Sequence, residues 1–282
     1  MNLRELFPEA VVNGEESMGK EWLSLGLDDQ FIHFPLADLS QREQALLTLK
    51  EPQALLQASD EDVWYQFLVQ KKGSSPVRLE GVQLLYLEHI YPLSSDLLDL
   101  FYELLPNLIA LVKTSSTRTV LILDQTLNFE VVDLVQDILP AVESDFGTKL
   151  TIFFGNSWTK LQNDDLRQIF DSEYQLFSDF VRFKGNEQTI SFARMILWGR
   201  SRQLNLGIIP EKIYHSINDS KDMADIIEAM WESQANLVQT AQKLFMHRNS
   251  LQYKLDKFHS LSGLNLKNLD DLAFCHLLIL ND

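Results

Sequence analysis

Polar side chains line one short segment near the end of the sequence. Leu251, Leu255 and Phe258 recur at i, i+4 and i+7, which predicts a helix with one apolar face. The polar residues among them point away from that face; they are Arg248, Asn249, Gln252, Tyr253 and Asp256. Guanidinium and carboxamide groups can bond phosphates and base edges in the major groove of DNA. The segment is therefore a candidate DNA-binding surface.

The distribution of charge agrees with this interpretation. The chain of 282 residues carries 24 basic and 40 acidic side chains, a net charge of −16. Five basic residues and one acidic residue fall between Asn236 and Asn268, which makes that segment +4 and leaves −20 on the rest. Because binding to phosphates depends on clustered lysine and arginine, the acidic body argues against a general nucleic-acid binder. DNA contact is expected only at the basic segment.

A second, shorter helix is predicted just before this one. Asn236 followed by Gln239 is a capping-box pattern, and apolar residues follow at helical spacing. Ala241 is small where the two helices must approach each other. Two short helices joined by about three residues form a helix-turn-helix candidate. Its second helix, at about 248–258, would be the recognition helix.

The run from Asn236 to Asn268 contains the motifs T-A-x-x-L-F, H-R-N-S-L-x-Y-K-L and L-S-G-L-N-L. It closely resembles the C-terminal helix-turn-helix domain of the PucR/CdaR family of bacterial transcription regulators, in which the second helix enters the major groove. The resemblance implies a groove-facing set of His247, Arg248, Asn249, Ser250, Gln252 and Tyr253. It also implies that Lys254 lies near the DNA backbone, where family members often have arginine.

Two of these residues have a second interpretation. His247 could cap the recognition helix by bonding its first amides, a role that is compatible with phosphate contact. Tyr253 could pack on a neighbouring helix instead of reaching DNA. The alternative for the whole polar face is a surface that is merely solvated.

Strands and helices alternate in the middle of the chain. The predicted strands are 82–90, 119–123 and 150–154, preceded by an extended segment at 30–36. Two predicted helices separate the later strands, at about 130–144 and at 94–111, the latter kinked near Pro106. Element lengths alone permit an α+β sandwich or a parallel α/β sheet. We expect α+β, followed by an all-α region of four or five helices from residue 210.

The family resemblance extends more loosely into this region. The strand 150–154, Gly155 and the segment 166–177 look like the end of the degenerate GGDEF-like domain that usually precedes the DNA-binding domain of PucR/CdaR regulators. The Gly-Gly-Asp/Glu-Glu-Phe signature of diguanylate cyclases does not occur in the sequence. The resemblance therefore implies a sensing or dimerising module and not a cyclase.

Four regions are expected along the chain. They are an N-terminal region of unassigned role (1–58), an α+β degenerate GGDEF-like domain (59–188), a helical linker (189–219) and a helix-turn-helix DNA-binding domain (220–282).

The sequence gives little support to catalysis or to a bound metal. The six histidines do not fall at i, i+2 or i, i+4 spacings, and Gly155-Asn156-Ser157 lacks the lysine of a phosphate-binding loop. The single cysteine, Cys275, excludes an internal disulfide and is expected as a buried thiol. We expect no enzyme, no cofactor and no metal site. The start of the chain is acidic and no apolar run spans a membrane, so a cytoplasmic protein is expected.

Together these observations predict a cytoplasmic bacterial transcription regulator that binds double-stranded DNA sequence-specifically. We expect a homodimer, with the N-terminal region serving dimerisation or the sensing of a small-molecule effector. One alternative is an enzyme whose α+β region retains nucleotide chemistry, but the sequence shows no acid/base pair that would support it. The other alternative is a protein-interaction protein whose helix-turn-helix no longer binds DNA.

Overall fold

A computed structural model of the chain describes residues 11–13, 22–27, 30–39, 63–77, 80–126, 131–184 and 187–280. The chain divides into two compact units, Met1–Asp60 and Glu61–Asp282. The sheet of the middle region and the helix-turn-helix segment both belong to the second unit. The region boundaries expected at 58, 188 and 219 stay predictions.

The first unit contains a small antiparallel sheet. Its strands are β1 (Val11–Asn13), β2 (Trp22–Leu27) and β3 (Gln30–Pro35), in the order β1-β3-β2. A 3-10 turn follows at Leu36–Asp38. The extended segment predicted at 30–36 is a strand as far as Pro35, and Leu36 already belongs to the 3-10 turn.

The second unit is built on a larger sheet. Its strands are β4 (Gly81–His89), β5 (Leu108–Ser115), β6 (Arg118–Asp124), β7 (Leu150–Phe154), β8 (Trp158–Thr159) and β9 (Thr189–Ile190). Helices α1 (Val63–Leu68), α2 (Ser95–Leu104), α3 (Val132–Phe146) and α4 (Asn163–Lys184) pack around it. The order is β5-β6-β4-β7-β9, with β8 beside β4. Strand β4 pairs antiparallel with both β6 and β7, so β4-α2-β5-β6-α3-β7 is a split βαβ arrangement and the fold is α+β, as expected.

The helix predicted to run to residue 111 is wrong in its second half. Helix α2 ends at Leu104, and the leucine-rich continuation is strand β5. Pro106 provides the physical reason, because proline disfavours the helical conformation of the residue before it. Leu105 accordingly has φ −111° and ψ 87°. Within β5, Ala110 and Val112 are buried, so the strand carries core residues.

The second unit has two hydrophobic clusters, one on each face of its sheet. On one face, Leu85 and Leu121 pack with α2 and α3. On the other, Tyr86 and Ile122 belong to a cluster that continues into the C-terminal helices. Side chains of successive strand residues point to opposite faces, so each central strand serves both clusters.

The C-terminal region is helical. Its helices are α5 (Phe192–Ser201), α6 (Ile209–Asn218), α7 (Met223–Glu232), α8 (Leu237–Lys243), α9 (Arg248–Ser262) and α10 (Leu269–Ile279). The segment expected as a linker holds α5 and α6, whose Ile196 and Ile213 are fully buried in the core that also contains Phe258. Cys275 of α10 is fully buried, and burial raises the pKa of its thiol, as expected of a structural cysteine.

Candidate nucleic-acid interface

Helices α8 and α9 form the helix-turn-helix pair that the sequence predicts. The Asn236 side chain caps α8 by accepting hydrogen bonds from the amides of Val238 and Gln239 at 3.1 and 3.2 Å. Ala241 is 4% exposed, and Leu251 is fully buried with it in the same core cluster. The small side chain of Ala241 therefore lies where α8 and α9 pack against each other, as the sequence predicts.

Helix α9 begins immediately after His247, as the N-cap interpretation predicts. The Nδ1 atom of His247 accepts a hydrogen bond from the amide of Asn249 at 3.1 Å. Because Nδ1 accepts, the neutral ring carries its proton on Nε2. His247 is exposed, so this Nε2–H can also donate to a phosphate oxygen without loss of the cap. The capping prediction is confirmed, and the helix extends to Ser262 instead of ending at about 258.

The predicted site residues lie on the outward part of α9 and at its start. Leu251, Leu255 and Phe258 face the core and are at most 2% exposed. Five of the seven predicted site residues are exposed, namely His247, Arg248, Asn249, Ser250 and Tyr253, and the other two, Gln252 and Lys254, are half-buried. Tyr253 is 70% exposed, so the packing interpretation of this residue finds no support. Their contact with DNA stays a prediction.

Most of the positive charge of this segment is already paired. Lys243 pairs with Glu232, Lys254 Nζ lies 3.5 Å from Asp222 Oδ2, and Lys267 Nζ lies 3.3 Å from Asp256 Oδ1. Two acidic partners come from outside the basic segment, so its charge of +4 overstates the local excess. Arg248 and Lys257 have no acidic partner within the part of the chain that the structure describes. Exposed pairs contribute about 0–1 kcal/mol, so phosphates can displace them.

Asp256 organises the outer face of α9. It accepts a hydrogen bond from Gln252 Nε2 at 2.7 Å, and this bond, more than the nearby Lys267, lowers the pKa of the Asp256 carboxyl. In the free protein the amide that could recognise adenine is therefore bound to its own helix. The i, i+4 spacing of the two residues permits this contact in any helix.

Phe245, in the turn between the two helices, is an exposed residue that sequence reasoning missed. Its side chain is 98% exposed and its backbone has φ 51°, a left-handed conformation that is uncommon for a bulky residue. Phe245 is one of the about three residues that join the two predicted helices, and an aromatic side chain in a turn beside a basic helix is the sequence signal that indicates it. Phe245 lies next to the α9 cap and can offer an apolar surface to a thymine methyl group.

A cleft of about 560 Å³ lies between the sheet and the end of α9. Its lining includes Gln83 and Asp133 from the sheet region, Asn156 from the loop after β7, and Asn268 and Asp271 at the start of α10. No lysine or arginine belongs to the described lining. Burial raises the pKa of Asp271 to about 6, so this carboxyl lacks full charge compensation. The volume of the cleft lies in the range of small-molecule sites.

Other kinds of site find no support in the described ranges. No cluster of three metal-ligating side chains occurs there. No helix within them is long and apolar enough to cross a membrane.

Residues 223–280 match the PucR C-terminal helix-turn-helix domain, which covers α7 to α10. The whole chain is similar to the leucine-rich protein of Streptococcus dysgalactiae subsp. equisimilis, with 37% identity over 280 residues and 99% of both chains covered. It is also similar to the uncharacterized protein YxkF of Bacillus subtilis strain 168, with 21% identity over 295 aligned positions that cover 100% of this chain and 98% of the other.

Among solved structures, the chain is similar to a regulator of polyketide synthase expression from Bifidobacterium adolescentis. The identity is 13% and the TM-score 0.32, over 87% of this chain and 94% of the other.

Proposed function

Because this chain shares one family with the streptococcal leucine-rich protein and belongs to the PucR/CdaR family through its C-terminal helix-turn-helix domain, we propose that it is a sequence-specific DNA-binding transcription regulator. Helix α9 is the recognition helix, and His247, Arg248, Asn249, Ser250, Gln252 and Tyr253 face the major groove. Lys254 lies near the phosphate backbone. The observation that carries the proposal is the separation of buried Leu251, Leu255 and Phe258 from an exposed polar face on one helix.

The charges of the interface support specific rather than general binding. Within the described chain, Arg248 and Lys257 are the basic residues of this segment without an acidic partner, and the rest of the chain is strongly acidic. Few phosphate contacts give weak binding to arbitrary sequences, since that binding is electrostatic. Base contacts must then supply most of the discrimination.

A homodimer on double-stranded DNA follows from the same reasoning. One unit with few unpaired basic residues offers few phosphate contacts, so tight binding requires two units. The half-sites would then lie about 34 Å apart, one turn of the DNA helix, or a multiple of this distance. Such a protein acts where the DNA is, which in a bacterial cell is the cytoplasm.

The sensing role is assigned to the α+β region and the residues before it. The cleft of about 560 Å³ supports it, because its lining joins the sheet region to the end of α9 and the start of α10. A small-molecule effector bound there would touch both. No catalytic role is proposed, because the PucR/CdaR family consists of regulators.

The test is in-vitro selection with the full chain from a random double-stranded library, followed by fluorescence anisotropy with the enriched duplex at a stated salt concentration. We expect an enriched motif and saturable binding that a duplex with one scrambled half-site weakens. Sedimentation should show a dimer on the enriched duplex. Absence of enrichment together with absence of binding at low salt would favour the interaction protein whose helix-turn-helix no longer binds DNA.

A further inference from the structure

The last turn of α9 is bonded to the loop that follows β7 and to the short strand β8. Asn156 Nδ2 donates to the carbonyl of Ser262 at 2.7 Å, and Thr159 Oγ1 donates to the carbonyl of Leu261 at 2.9 Å. The final carbonyls of a helix have no partner within the helix. Here two side chains that lie more than 100 residues earlier in the sequence provide partners, so the sheet region fixes the end of the recognition helix.

A glycine allows this close approach. Gly263 ends α9 with φ 76°, a conformation that suits glycine. A Cβ atom at this position would lie 2.3 Å from Asn156 Oδ1 and 2.5 Å from the Ser157 carbonyl oxygen. The loop and the helix end are therefore in direct contact, with no room for a side chain between them.

Asn156 is itself held by the core. It is 3% exposed, and its backbone amide donates to Glu173 Oε1 at 3.2 Å. The buried Glu173 carboxyl also accepts from Trp158 Nε1 and from the Tyr86 hydroxyl, both at 2.9 Å. These donors come from β4, from the loop and from β8, while Glu173 belongs to α4. The loop that bonds α9 is thus connected to the sheet and to α4 through one side chain.

We propose that Asn156 is a positioning residue for DNA recognition: it fixes the C-terminal end of α9 so that Arg248 and Gln252, near the other end, meet base edges in a defined orientation. The inference rests on the proposed function. Helix α9 has 15 residues and a length of about 22 Å, so a tilt at Ser262 moves its DNA-facing start by ångströms. Base-edge contacts tolerate only about 0.5 Å and 10–20° of error. Phosphate contacts made by flexible lysines tolerate more.

The test compares Asn156→Ala with Asn107→Ala in the full-length protein. Asn107, immediately before β5, makes the same kind of bond, from Nδ2 to the carbonyl of Asp124 at the end of β6 at 3.0 Å. The measured quantity is the ratio of the dissociation constants for a scrambled duplex and for the duplex that the wild type enriches. Partial unfolding lowers the active fraction equally for both duplexes and leaves this ratio unchanged.

We expect Asn156→Ala to lower the ratio on the order of tenfold, the size of one lost base contact, with scrambled-duplex binding unchanged. Asn107→Ala should keep the wild-type ratio. Thr159→Val keeps the shape of the side chain, removes the donor to Leu261 and should also lower the ratio. This variant replaces Asn156→Ala in the test if Asn156→Ala does not fold. A wild-type ratio in Asn156→Ala and in Thr159→Val would overturn the inference while leaving the proposed function intact. Failure of the wild type to enrich any sequence would instead overturn the proposed function.

Discussion

Gln252 donates a hydrogen bond to Asp256 across one turn of α9, at 2.7 Å. Asp256 also lies 3.3 Å from Lys267 Nζ, so one carboxylate contacts the carboxamide of Gln252 and a cation of the basic segment. In the free protein these groups are bound to each other and not to solvent alone. The proposed binding of DNA requires these contacts to be exchanged for contacts with bases and phosphates.

Replacing Asp256 with alanine should therefore strengthen DNA binding. The change releases Gln252 and Lys267 and removes the one acidic side chain between Asn236 and Asn268. We expect the dissociation constants for enriched and scrambled duplexes to fall severalfold at low salt, with the larger change for the enriched duplex. Fluorescence anisotropy measures both. Weaker binding confined to the enriched duplex would mean that Asp256 itself accepts a hydrogen bond from cytosine.

Lys257 should contribute a phosphate contact that is independent of sequence. It is exposed on α9 and has no acidic partner among the described residues. Lys257→Ala should weaken binding to all duplexes alike and reduce the slope of log K against log salt by about one. Lys149, exposed before β7, provides the matched control, and Lys149→Ala should leave the slope unchanged. Equal slopes in the two variants would remove Lys257 from the interface.

Phe245→Asn separates folding from DNA binding in the turn. Asparagine tolerates the left-handed conformation better than phenylalanine, and the side chain it replaces is 98% exposed. The free energy of unfolding should stay equal or rise by about 1 kcal/mol, as urea denaturation would measure. Binding to a thymine-containing enriched duplex should weaken, and replacing those thymines with uracil should weaken the wild type only. A variant that binds as the wild type does would show that Phe245 does not contact DNA.

The buried Glu173 carboxyl makes stability depend on pH in a defined direction. Burial raises its pKa from 4.5 to about 7, although hydrogen bonds from Trp158, Tyr86 and Asn156 oppose that shift. The folded state therefore holds the proton more tightly than the unfolded state does. The stability from this group is fully present below about pH 4.5 and is lost as the pH rises through 7.

Glu173→Gln should remove this dependence, because glutamine resembles the neutral acid. Relative to the wild type, the variant should gain free energy of unfolding between pH 5 and pH 8, by up to about 3 kcal/mol. Asp271, with its pKa raised to about 6, acts in the same direction in both proteins and cancels in the difference. Urea denaturation of both proteins at pH 5 and pH 8 measures this difference in the free energy of unfolding. A variant that loses stability relative to the wild type on going from pH 5 to pH 8 would contradict the raised pKa.

The parts of the molecule set by local pattern could be predicted from sequence. Three predicted features depend only on residues close together in the sequence, and the structure contains all three. They are the strand 150–154, the cap formed by His247 and the apolar face of α9. Strand β5 could not be predicted this way, because L-I-A-L-V also suits a helix and the deciding influence is the conformation imposed before Pro106.

Contacts between distant segments were beyond the reach of sequence patterns. The bond from Asn156 to Ser262 joins residues 106 positions apart, and nothing in either segment indicates the other. The same is true of Lys254, whose partner Asp222 precedes α7 and lies 32 positions earlier. The local charge of +4 was therefore correct as a count and too high as a measure of the charge available to DNA.

Arg248→Ala tests the central claim most directly, through the dissociation constant for the enriched duplex measured together with the free energy of unfolding. Arg248 is exposed, so its removal should shift stability by no more than about 0.5 kcal/mol. Binding should weaken by about 1–3 kcal/mol if the guanidinium bonds a guanine bidentately, and Gln252→Ala should behave alike. Leu255→Ala is the control for loss of DNA binding through unfolding, because it should lower the free energy of unfolding by about 2–5 kcal/mol. Wild-type affinity in both Arg248→Ala and Gln252→Ala would contradict the assignment of α9 as the helix that reads DNA.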